Sequence, residues 1–108
     1  MSEDVVLNVD PGACRFKGTV TCHFDGDKVS VRLECGCPYV RKLGESLREV
    51  SVEEIIHMPF GENKVYIHGG RTLKHSVCPY PMSILKCAES SAGFALKKDM
   101  HMEYGKGP

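Results

Sequence analysis

FKGTVTCHFDGDKVSVRLEC, residues 16–35, consists of two alternating apolar and polar runs joined at Asp25-Gly26. A period of two is the strand pattern, because successive side chains leave opposite faces of a pleated ribbon. Asp-Gly between two such runs is the strongest short-range hairpin signal, since a type I′ turn needs positive φ at both central residues. With Asp25-Gly26 at the turn, Phe24 faces Asp27, Cys22 faces Val29 and Val20 faces Val31. Gly18 then faces Leu33, and Phe16 faces Cys35. All of these share one face, and apart from Asp27 and Gly18 they are apolar. Lys17, Thr19, Thr21, His23, Lys28, Ser30, Arg32 and Glu34 collect on the other. A slip of one residue would scramble that separation, so the faces are well specified.

Upstream of this hairpin, Val5, Leu7 and Val9 alternate until Pro11-Gly12 breaks the run. Downstream of Cys37-Pro38 the period lengthens. Val40, Leu43 and Leu47 form a helical stripe with proline at its first position, against a cost of about 1 kcal/mol for Gly44. Ser51-Val-Glu-Glu54 is a capping-box pattern that predicts a second short helix. Residues 64–74 carry mixed signals: Val65-Tyr66-Ile67 favours a strand, and Gly69-Gly70 weakens a helix. Ile84, Leu85, Ala88 and Ala92 define a helical face, with Gly93 as its stop. Asp99 to Tyr104 alternates again, with Met100, Met102 and Tyr104 on one side, and predicts a final strand. The expected architecture is one α+β domain over residues 1–104. It has an antiparallel sheet of three to four strands (N-terminal strand, hairpin, C-terminal strand) packed by two to three helices, and residues 105–108 form a flexible tail.

The chain has 108 residues, enough for one domain, with 42% hydrophobic and 26% charged residues, ordinary globular values. Fourteen basic residues balance fourteen acidic ones, so no basic surface argues for nucleic acid or anionic lipid. The first ten residues lack the basic and then apolar order of a secretory leader. No apolar run reaches the roughly 18 residues of a membrane span. These features predict a cytoplasmic monomer or homodimer that contacts neither nucleic acid nor membrane, with room for an unknown protein partner.

Six cysteines in a reducing compartment point to metal binding or thiol chemistry rather than to disulfides. The expected hairpin register sorts them. Cys22 points into the core, and Cys35 lies six residues beyond its partner Val29, roughly 20 Å away at about 3.4 Å per residue. Extending the ladder past Phe16 and Cys35 sets Cys14 opposite Cys37, close enough for two sulfurs to share one metal or one bond. Cys37 and Cys78 both precede proline and both open a predicted helix, where unpaired N–H groups and the positive dipole end favour thiolate. Cys14, Cys37 and Cys78 are therefore the predicted ligands, with Cys35 (as C-x-C with Cys37) or His75 (as H-x-x-C with Cys78) as fourth. Cys87 reads as packing, and His23, His57, His68 and His101 as ordinary surface histidines. No familiar zinc or ferredoxin spacing is present, so the case is positional.

Pro11-Gly12-Cys14, Cys37-Pro38-Val40-Arg41-Lys42-Leu43, Cys78-Pro79-Pro81-Ile84-Leu85-Lys86 and Ala92-Gly93-Ala95-Leu96-Lys98-Asp99 together resemble an uncharacterised Cys-Pro family of mainly anaerobic bacteria and archaea. That resemblance carries no assigned activity, and an anaerobic setting would favour iron–sulfur chemistry or reactive thiols. Three functions fit the residues. The first is a metal-binding protein holding an iron–sulfur cluster or zinc, related to redox or electron transfer. The second is a metal-free thiol redox protein with a low-pKa cysteine, and the third is a non-catalytic interaction module whose cysteines are merely buried.

Overall fold

The computed structural model describes residues 4–107. Strands β1 (Val5–Val9), β2 (Gly18–Phe24), β3 (Lys28–Cys35) and β4 (Glu49–Ser51) form one sheet in that order. Every neighbouring pair is antiparallel. Helices α1 (Pro38–Ser46), α2 (Val52–Ile55), α3 (Lys64–Thr72) and α4 (Tyr80–Ser91) complete an α+β fold.

The hairpin forms with its turn one residue later than expected. Observed pairs are Phe24 with Val29, Cys22 with Val31, Val20 with Leu33 and Gly18 with Cys35. Asp25 explains the shift. Its Oδ1 accepts the N–H groups of Asp27 and Lys28, both at 2.8 Å, which makes it the anchor before the turn rather than a central residue. Gly26, at φ +100°, is then the first central residue and the only one with positive φ, the requirement of a type II′ turn. Partners move by two residues, an even step, so the face assignment survives. Val20, Cys22, Val29 and Val31 are buried on the face carrying α1 and α4.

Two further expectations change. The fourth strand is β4, on the far side of β3, and Asp99–Tyr104 joins no strand. The ambiguous stretch is α3. Its decisive residue is Asn63, 3% exposed, whose Oδ1 accepts Val65 N–H at 2.9 Å as an N-cap. The Nδ2 of Asn63 donates to the carbonyls of Glu54, Ile55 and His57, which ties α3 to the end of α2. The capping box at Ser51 is present as predicted, with Glu54 N–H donating to Ser51 Oγ and Ser51 N–H donating to Glu54 Oε1.

Candidate functional site

Three separate parts of the chain meet at the Gly18–Cys35 end of the sheet. Pro11 leads into a single 3₁₀ turn, Gly12–Cys14, closed by Arg15 in the left-handed region at φ 67°. Cys37 is the N-cap residue of α1, with Pro38 behind it. The loop from Leu73 to Pro79 precedes α4, and its Cys78 amide donates to the His75 carbonyl at 3.1 Å. Together they enclose a pocket of about 380 Å³ whose wall includes Cys14, Cys37, Cys78 and His75, with Tyr39 and Lys74 beside them. The Lys74 ammonium lies 5.5 Å from the centre of the Tyr39 ring, a cation–π contact that holds it on this wall.

The route by which Cys14 arrives differs from the one predicted. With the turn one residue later, the ladder ends at Gly18 and Cys35, and Cys14 sits in the 3₁₀ turn instead of opposite Cys37. Cys35 does not line the pocket; its thiol donates to Phe16 O at 3.4 Å. Tyr80, buried at 1% exposure, donates its hydroxyl to the same carbonyl at 2.7 Å. Gly18 makes this junction possible: a Cβ there would stand 2.6 Å from the Tyr80 hydroxyl and 2.4 Å from Glu34 O.

The electrostatics follow from this crowding. Burial pushes the Cys78 thiol above its ordinary range, the Tyr80 N–H pulls it back, and the neighbouring Cys14, Cys37 and Cys35 raise it further. A helix start therefore does not by itself make Cys78 a thiolate, because desolvation outweighs the amide dipole here. Burial also raises Tyr80, aided by Cys35, so its hydroxyl stays a donor. Cys22 and Cys87 lie elsewhere as a buried pair in the core. Cys22 faces Val31, four residues from Cys35 along β3, or about 14 Å. Among the described residues no three histidine, cysteine, aspartate or glutamate side chains stand, as arranged, in a position to hold a metal ion. The thiols share a wall without converging on one point.

Asn63, Tyr80 and Gly18 were missed by sequence reading. Asn63 two residues before Val65 is a legible N-cap signal, whereas Tyr80 and Gly18 matter only through each other across the fold. No helix is long and apolar enough to cross a membrane among the described residues. No curated protein and no solved structure matches the chain. One family model does, across residues 5–104, and the chain belongs to that family, a family of unknown function designated DUF6951.

Proposed function

We propose that this protein binds a thiophilic metal centre, a zinc ion or an iron–sulfur cluster, in the pocket walled by Cys14, Cys37 and Cys78. The single observation that supports this most is their arrival on one cavity wall from three stretches distant in sequence. Soft thiolates select zinc and iron–sulfur clusters over hard cations, and the donor set has the right chemistry. Side-chain rotation would have to bring the sulfurs together on binding. His75 is the better placed fourth ligand because it lines the pocket, while the Cys35 thiol is engaged with Phe16 O. A zinc ion held there would act as a structural tie or Lewis acid, and a cluster would carry electrons. The metal-free alternative needs a thiol poised as thiolate, and the upward push on Cys78 counts against it.

Anaerobic purification followed by metal and acid-labile sulfide analysis tests the proposal, together with titration of the metal-free protein by Co²⁺. The expected result is one centre per chain, with thiolate-to-cobalt charge-transfer absorption. That absorption should be lost when Cys14, Cys37 and Cys78 are replaced by serine. A chain that contains neither metal nor sulfide and takes up no cobalt would overturn it.

A further inference from the structure

The stretches that form the thiol pocket are one-sided in charge, although the chain as a whole is neutral. Residues 11–17, 36–44 and 71–80 carry Arg15, Lys17, Arg41, Lys42, Arg71 and Lys74 and no aspartate or glutamate. Their acidic neighbours in sequence are engaged elsewhere. Asp10 pairs with Lys17 at 3.8 Å and Glu34 with Arg32 at 3.5 Å, while Glu45 lines a different groove with Arg41 and Arg48. Lys74 lines the pocket itself, and no acidic residue does. Among the described residues no carboxylate forms an ion pair with Lys74.

The wall offers an anion two kinds of donor. The Lys74 ammonium is held 5.5 Å from the centre of the Tyr39 ring, a contact that fixes its place and leaves its charge without a counter-ion. The second donor is the start of α1. Cys37, its N-cap residue, makes no side-chain cap bond, so the amides of Tyr39 and Val40 in the first turn are uncapped. Both residues line the pocket. The start of α4 adds little, because Pro79 is its N-cap and Pro81 stands in its first turn, and proline has no N–H. One ammonium and one short run of amides match one unit of negative charge. No guanidinium lines the wall to grip the further oxygens of a phosphate. The remaining wall is apolar and includes Pro11, Leu73 and Val77, of which Val77 is left 88% exposed. The volume of about 380 Å³ falls at the small end of ligand cavities, which run from about 300 to 1,000 Å³.

We infer that the pocket binds a small carboxylic acid with an apolar body. The carboxylate sits on the Lys74 ammonium and the first amides of α1, and the body covers Leu73, Val77 and Pro11. This goes beyond the metal proposal and does not depend on it, because none of these groups is a metal ligand and a single metal ion leaves most of the cavity free.

Titration of the full chain, as purified under reducing conditions, with sodium phenylacetate tests it, read by two-dimensional proton–nitrogen NMR. Three comparison probes are phenylacetamide, which keeps the body without the charge, acetate, which keeps the charge without the body, and inorganic phosphate. The expected result is saturable shifts at the amides of Tyr39, Val40 and residues 73–78. The dissociation constant for phenylacetate should be at least about ten-fold lower than for any comparison probe. Lys74→Gln should raise that constant about ten-fold or more, and Lys74→Arg should restore most of the affinity. Lys74 is exposed, so neither variant should move the thermal midpoint. Metal and sulfide analysis of the same sample separates the two proposals. Binding of phenylacetate by a chain that holds no metal fails only the metal reading, and a metal centre without phenylacetate binding fails only this one. Phosphate or phenylacetamide bound as tightly as phenylacetate, undiminished binding by Lys74→Gln, or no saturable shift would overturn the inference.

Discussion

Phe16 O receives two donors, the Cys35 thiol and the Tyr80 hydroxyl. This one carbonyl therefore links the N-terminal turn, the end of β3 and the start of α4, which are the walls of the thiol pocket. Gly18→Ala should cost about 1–3 kcal/mol in urea unfolding, because its Cβ would meet the Glu34 carbonyl as well as the Tyr80 hydroxyl oxygen. Tyr80→Phe keeps the ring and removes only the donor, so it should cost about 1 kcal/mol. A Gly18→Ala protein as stable as the parent would show that this junction is looser than described. Cysteine reactivity should divide along the same lines. Cys14 is exposed, whereas Cys22 and Cys87 are buried. The hydrogen bond between those two sulfurs, with burial, pushes Cys22 far up. In native metal-free protein a maleimide or iodoacetamide should therefore label Cys14 first, and Cys22 and Cys87 only when the domain opens. Mass spectrometry after timed quenching reads the order, and early labelling of Cys22 would contradict it.

At the level of elements, the second half of the fold depends on caps. Ser51 and Glu54 close the start of α2 on each other, and Asn63 both caps α3 and binds the end of α2. Ser51→Ala should cost about 1 kcal/mol. Asn63→Ala should cost more, about 2–3 kcal/mol, because it leaves buried backbone carbonyls without their donor. The Ser51 N–H, and then Lys64, hold the Glu54 carboxyl below its ordinary 4.5, and the Lys28 and Asp27 N–H groups do the same for Asp25 in the turn. A depressed folded-state pKa contributes stability that is complete above the unfolded value and is lost as pH falls through the folded one. The urea midpoint should therefore decline as pH drops below about 4.5, and Glu54→Gln should flatten part of that decline. An identical acid limb in Glu54→Gln would remove the capping box from the account.

At the level of the whole molecule, Cys14, Cys37 and Cys78 reach one pocket wall from stretches far apart in sequence, although the thiols as arranged do not converge. Serine at the three pocket cysteines should abolish cobalt uptake.

The hairpin, its faces, the N-terminal strand, the capping box and the last helix were legible because each follows from local periodicity or from a cap within a few residues. The places of Cys37 and Cys78 just ahead of α1 and α4 were also legible from their Cys-Pro steps, whereas Cys14 was set beside Cys37 by extending the hairpin ladder. That extension does not hold, because a single Asx bond moved the turn by one residue. The parity of a strand survives such a shift, and the identity of its partners does not. Only the tertiary structure could decide the rest. It placed β4 beside β3, made α3 a helix through the Asn63 cap and left Asp99–Tyr104 unpaired. Strand pairing and pocket walls are contacts between distant residues, and a period of two in the chain says that an edge is wanted without saying where it will be found.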